Sequence, residues 1–73
     1  MRLDELKPGE SAVIVSLKHE GLRLQRLLEM GLFEGGAITL VRRAPLGDPI
    51  EVRLTDYNLS LRQADAMLIE VKP

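Results

Sequence analysis

Residues 37–56, AITLVRRAPLGDPIEVRLTD, decide the fold of this 73-residue chain. The second half alternates, with Ile50, Val52 and Leu54 on one face and polar side chains on the other, which is typical of a strand with one buried side. The first half, AITLVRRA, also has the composition of a strand. Two prolines and a glycine lie between the halves. The stretch therefore predicts two antiparallel strands joined by a shaped loop.

The connecting loop, APLGDP, carries its own turn signals. Pro45 suits the second position of a tight turn, and Gly47 suits the fourth. Ala44 and Asp48 each precede a proline, which pushes their backbone toward extended conformations. Leu46 at the tip is apolar, and core packing alone does not explain it. The loop is predicted to be stiff, and two interpretations stay open: a plain hairpin, or a docking tip for a partner.

Upstream of this hairpin, the segment SAVIVSLK is rich in β-branched residues and predicts a strand. The period then changes over residues 22–30, LRLQRLLEM. Apolar side chains at Leu24, Leu27 and Leu28 share one side of a helix of about three turns. Gly31 is placed to end that helix in a left-handed conformation.

Downstream, YNLSL predicts a short strand and MLIEV predicts the last one, with Ile69 and Val71 on one face. Between them, Ser60 and Gln63 have the spacing of a capping box, which predicts a short helical turn. The fold class is therefore mainly β. We expect an SH3-like small barrel of about five short antiparallel strands, with one inserted α-helix and a short helical turn before the last strand. We expect residues 1–73 to form a single domain.

Composition excludes several classes of protein. The chain has no cysteine, so it has neither a disulfide nor a thiol nucleophile. A formal net charge of −1, with one Phe, one Tyr and no Trp, argues against binding nucleic acid. No apolar run approaches the roughly 20 residues that span a bilayer. The first ten residues, MRLDELKPGE, contain no long apolar region, so we do not expect them to be a signal peptide. We expect a cytoplasmic protein without direct membrane insertion.

No pattern of catalytic or metal-ligating residues is present. The only histidine, His19, precedes the predicted helix, and we expect an exposed polar loop residue, because metal sites need several converging ligands. The carboxylates are spread along the chain. Gly35 and Gly36 precede a strand, whereas a phosphate cradle opens a helix. The sequence therefore favours a protein that is not an enzyme and has no cofactor, and no ligand cluster supports Fe²⁺ binding.

The pieces RLLEMGL, GG, ITLVRRAPLGDPIEV and LSLRQADAMLIEV follow one another between Arg26 and Val71, with LKPGESAVI upstream. In this order and spacing the chain resembles the FeoA family, ferrous iron transport protein A, over nearly its whole length. The resemblance implies an SH3-like barrel, in agreement with the fold expected from the residues. It carries over no catalytic or metal-ligating residues, because the family motif is mostly structural.

The resemblance also implies a function. A free-standing family member is a small cytoplasmic accessory protein of bacterial ferrous iron uptake. The implied partner is the cytosolic portion of FeoB, a membrane permease with a cytosolic G-protein domain, which the protein would bind and modulate. The alternative is a metal-responsive SH3-like module that binds a transition metal ion weakly through surface carboxylates and His19.

The predicted partner-binding residues lie in the central loop and at one helix position; they are Arg26, Arg42, Arg43, Pro45, Leu46 and Asp48. For Arg26 an ion pair with Glu29 or Glu34 is the competing interpretation. Arg53 is expected across the hairpin from the paired arginines and, with Arg62, would complete a small basic face. Ordinary strand-edge charge and an arginine finger toward a partner's nucleotide are the other interpretations of this face.

Overall fold

Five short strands form one antiparallel sheet, and the computed structural model describes all 73 residues. A 3₁₀ turn at Leu3–Glu5 precedes the sheet. In chain order the elements are β1 Ser11–Leu17, α1 Gly21–Glu29, β2 Ala37–Arg43, β3 Ile50–Arg53, β4 Asn58–Leu61, α2 Gln63–Ala66 and β5 Ile69–Lys72. This order of strands and helices confirms the fold class expected from the sequence.

The sheet has the strand order β4-β3-β2-β1-β5, and every neighbouring pair is antiparallel. β4 and β5 are its two edges, and α2 connects them along the chain. The β2–β3 hairpin pairs Leu40 with Val52 and Arg43 with Ile50, with a bulge between Leu40 and Arg42. Such irregularities increase the local twist, which bends the sheet around its buried side.

The core lies on the concave side of this sheet. Ile50, Val52 and Leu54 are all buried, which confirms the alternation predicted for the second half of the hairpin. Leu3 and Leu6 of the N-terminal segment cover one end. The other buried apolar residues come from the remaining four strands, both helices and the turn after α1: Ala12, Ile14, Leu27, Leu32, Ile38, Leu40, Leu61, Ala66, Ile69 and Val71.

Gly31 terminates α1 from just past its C-terminal end, as the sequence predicted. The Gly31 N–H donates to the Leu28 carbonyl, and the Leu32 N–H donates to the Leu27 carbonyl, both at 3.0 Å. These two bonds and a φ of +97° at Gly31 form a Schellman motif. Leu32 is thereby turned into the core and is fully buried. Of the three leucines expected on one helix side, only Leu27 is buried.

Candidate partner-binding surface

The loop between β2 and β3 is a tight turn with its apolar tip in solvent. The Gly47 N–H donates to the Ala44 carbonyl at 2.7 Å, so Pro45 and Gly47 occupy the predicted turn positions. The Ala44 N–H in turn donates to the Pro49 carbonyl at 3.0 Å. Leu46 at the tip is 97% exposed. The predicted shape is confirmed, and core packing does not account for Leu46.

Asp48 connects this loop to α2. Its Oδ1 accepts a hydrogen bond of 3.0 Å from the backbone N–H of Gln63, the first residue of that helix. The capping box predicted at Ser60 and Gln63 is wrong. Ser60 is a β4 residue paired with Glu51, and the residue before the helix, Arg62, makes no side-chain cap. A carboxylate 15 residues away in sequence satisfies the free N–H instead.

The two neighbouring arginines of the hairpin have different surroundings. Arg42 is exposed, and its Nε lies 2.9 Å from Glu51 Oε1 on β3. The Nη2 of Arg43 donates to the carbonyls of Asp4, at 2.5 Å, and of Leu6, at 3.0 Å. Arg43 therefore ties the N-terminal segment to the sheet.

Arg53 does not lie across the hairpin from Arg42 and Arg43, as the sequence analysis expected. In the register it is opposite Thr39, at the other end of the strand pair, and its Nη1 donates to Asn58 Oδ1 at 3.3 Å. The residue opposite Arg42 is Glu51. Because a carboxylate faces the arginine, the expected basic face is not assembled on this hairpin.

Arg26 instead lines a groove between α1 and the β4–α2 connection. Arg23 and Arg62 are the other two arginines of this arginine groove, and Leu27 and Leu61 form its apolar floor. The groove has a volume of about 460 Å³. Arg26 forms no ion pair with Glu29 or Glu34, the structural partners considered for it above.

At the back of the arginine groove, Arg23 holds Asp65 with a two-pronged contact. Its Nε donates to Oδ1 at 2.9 Å, and its Nη2 donates to Oδ2 at 2.5 Å. The hydrogen bonds to Asp65 raise the pKa of Arg23 above its ordinary value, and the electrostatic attraction of the same carboxylate contributes a smaller part. The pair fixes α1 to α2 across the groove. Arg23 and Asp65 are 42 residues apart in the sequence, so no local pattern indicates that they form an ion pair.

His19 is buried, so the expectation of an exposed loop residue is wrong. Its ring packs behind Asp65, and Nε2 lies 3.1 Å from the Asp65 carbonyl and 3.7 Å from the Asp65 carboxylate. The other ring nitrogen, Nδ1, is buried without a partner. The structure contains no group of three or more His, Asp or Glu side chains that could hold a metal ion.

A second, mostly apolar groove runs along the other side of α1. Leu17, Leu24, Leu28 and Phe33 line it together with Glu34. We call it the leucine groove. Leu28 and Phe33 are exposed for about half of their surface, at 45% and 52%. None of these residues was among the predicted partner-binding residues, although the apolar side of α1 was visible in the sequence.

Comparisons with known proteins identify the family. The FeoA domain model matches residues 1–73. An Fe(2+) transport protein A/Fe(2+) transporter FeoB fusion protein of Porphyromonas gingivalis is 51% identical over 72 residues, which cover 99% of this chain. The chain spans only 8% of that relative's length.

Solved structures agree. The iron(II) transport protein A of Clostridium thermocellum is 42% identical, with a TM-score of 0.94 over 99% of this chain and 44% of that one. A FeoA of Stenotrophomonas maltophilia, solved with zinc and called a prokaryotic SH3 domain protein, is 29% identical. Its TM-score is 0.83, over 99% of this chain and 89% of that one.

A manganese-dependent transcriptional repressor, 15% identical with a TM-score of 0.88 over 99% of this chain and 40% of that one, shares the fold alone. None of the helices of this chain has the length and apolar character needed to cross a membrane. A family match over every residue, and a relative more than half identical, decide the assignment. The chain belongs to the FeoA family.

Proposed function

We propose that this domain is a cytoplasmic accessory factor of ferrous iron uptake that binds the cytosolic portion of a FeoB-type permease and modulates it. The observation that carries the proposal is the relative in which the same domain and FeoB form one chain. Covalent linkage raises the effective concentration of two modules that act together. In either arrangement, covalently linked or not, the contact itself is made by the surface of the domain.

The surface offers apolar side chains that the fold itself leaves uncovered. Leu46 projects from the loop, Leu22 on α1 is 72% exposed, and the leucine groove continues along the helix. Apolar groups that cluster on an exposed surface, as Leu22 and the leucine groove do on α1, are typical of protein-binding surfaces. The absence of a catalytic pattern in the sequence also favours action by contact over chemistry.

Titration calorimetry with the permease tests the proposal. The G domain and the C-terminal cytosolic tail of the cognate permease are titrated separately into this protein. We expect saturable binding to one of them. No binding to either segment, together with unchanged ferrous iron uptake after deletion of the gene, would contradict the proposal.

The direction of modulation needs a second measurement. GTP turnover of the permease's G domain, with and without saturating protein, reports whether binding raises or lowers hydrolysis. If the protein binds but changes neither GTP turnover nor iron uptake, it docks on the permease without modulating it, and the modulating role is contradicted.

A further inference from the structure

The arginine groove contains the two arginines that have no partner inside the chain. The chain has seven arginines. Arg26 and Arg62 are exposed and both line this groove, and their guanidinium groups take part in no hydrogen bond or ion pair of the fold. The other five donate to Asp4, Asp65, Glu51, Asn58 or backbone carbonyls: Arg2, Arg23, Arg42, Arg43 and Arg53. The unpaired guanidiniums are thus collected in one place.

The groove also has the opposite charge from the chain as a whole. Three arginines line it against two carboxylates, in a chain whose formal net charge is −1. Of the two carboxylates, Asp65 is held by Arg23, and only Glu29 has no partner. A planar guanidinium binds a carboxylate through two parallel hydrogen bonds, which makes a pair of free arginines a selective site for acidic groups.

The floor of the groove indicates a peptide rather than a free ion. Leu27 and Leu61 are buried beneath it, and Met30 lies at its edge. A single phosphate or carboxylate ion would leave this apolar floor uncovered. An acidic peptide with an apolar neighbour would satisfy both the rim and the floor, in the way that interfaces combine a polar rim with an apolar centre.

We propose that the arginine groove binds an acidic segment of the partner, with its carboxylates paired to Arg26 and Arg62 and an apolar side chain on Leu27 and Leu61. This proposal rests on the proposed function and assigns its contact surface. It makes Arg26 a partner-binding residue, as the sequence analysis predicted, and adds Arg62. It assigns no direct contact to Arg43, because that guanidinium is occupied by backbone carbonyls.

Charge reversal in the groove gives the first test. The double variant Arg26→Glu/Arg62→Glu is titrated calorimetrically with whichever cytosolic segment of the permease binds the wild type. We expect at least about a tenfold rise in Kd, because each arginine loses a charge-assisted hydrogen bond. The matched control, Lys7→Glu/Lys72→Glu, changes the net charge equally at two exposed lysines outside the groove. Its Kd should change by less than about twofold at physiological salt.

A gain of affinity excludes simple damage to the fold. Glu29→Gln removes the one unpartnered carboxylate of the groove, so it should lower the Kd, with the largest effect at low salt. Circular dichroism should show that all variants keep the wild-type melting temperature within a few degrees.

Two further experiments test whether the groove binds a different ligand, either a free anion or a second copy of the chain. Inorganic phosphate is added as a competitor at about 10 mM, on the order of the Kd of a weakly bound ion. It should displace no more of the permease segment than a non-binding salt of the same ionic strength does. Concentration-dependent self-association in light scattering that is lost in Arg26→Glu/Arg62→Glu would assign the groove to a second copy of the chain and overturn the proposal.

The outcomes distinguish the two proposals. If the wild type binds and the groove variants bind equally well, the groove is not the contact surface, and the proposed function stands. If the wild type binds neither cytosolic segment, both proposals fail.

Discussion

The β2–β3 hairpin and helix α1 are both amphipathic in sequence, yet the fold uses them differently. Ile50, Val52 and Leu54 all reach the core. On α1, Leu27 alone is buried, whereas Leu22 and Leu28 remain in solvent. In a strand of this sheet, period-two alternation corresponds to one buried face. In α1 the apolar side is wider than the area that the sheet covers, and the remainder is available to another molecule.

Two adjacent helix residues give the largest expected contrast. Leu27→Ala should lower the free energy of unfolding by about 2–5 kcal/mol, because it opens a cavity under the helix. Leu28→Ala should lower it by about 1 kcal/mol or less, since nearly half of that residue's surface is already exposed in the folded chain. Urea unfolding of the two variants measures both values. Equal losses would mean that the exposed side of α1 is packed in the folded chain.

Two glycines test how tightly α1 is joined to the sheet. Gly31 and Gly35 both have positive φ, so alanine at either position costs about 1–2 kcal/mol of backbone strain. Alanine at Gly31 also meets the Tyr57 hydroxyl, which donates to the Met30 carbonyl, whereas Gly35 faces open space. Gly31→Ala should therefore be the more destabilising in thermal melts. Equal losses for the two variants would show that Tyr57 moves away freely and would contradict this expectation.

Asp48 and Leu46, both in the β2–β3 loop, should differ by a smaller amount in their effect on stability. Asp48→Ala removes the acceptor for the Gln63 N–H and should cost about 1 kcal/mol of stability, as the loss of a helix cap does. Leu46→Asp should leave stability unchanged, because its side chain touches almost nothing. Chemical denaturation checks both. In the permease titration, Leu46→Asp weakens binding only if the loop tip is also a docking tip.

The smallest effect concerns the ion pair at the edge of the sheet. The N-terminal ammonium lies 2.7 Å from Glu70 Oε2, and its hydrogen bond lowers the pKa of that carboxyl. The pair therefore contributes stability above the ordinary glutamate pKa, and the contribution disappears as the pH falls through the lowered value. Wild type and Glu70→Gln should differ slightly in melting temperature at pH 7 and coincide at strongly acidic pH. A gap that widens on acidification would contradict this assignment.

Local patterns predicted the parts of the structure that local physics decides. The alternation of β3, the turn at Pro45 and Gly47, and the left-handed end of α1 at Gly31 each depend on neighbouring residues. The capping box at Ser60 failed because pairing with Glu51 holds that residue in the sheet.

The candidate site was only partly visible in the sequence. The sequence indicates Arg26 as a candidate, but Arg62, on the other side of the groove, comes from a segment that only the folded chain brings close to α1. The burial of His19 behind Asp65 and the cap supplied by Asp48 are likewise long-range contacts. No sequence spacing encodes such contacts, so they follow from the tertiary structure alone.

The most direct measurement is a ¹⁵N chemical-shift map of this protein titrated with the cytosolic segments of the cognate permease. Because the sheet is packed within the chain while α1 and the arginine groove are exposed, we expect chemical-shift changes concentrated on α1 and on the groove residues Leu61 and Arg62. The β1–β5 pairing should be little affected. Shifts confined to β1 and β5, or no shifts with either segment, would contradict the account.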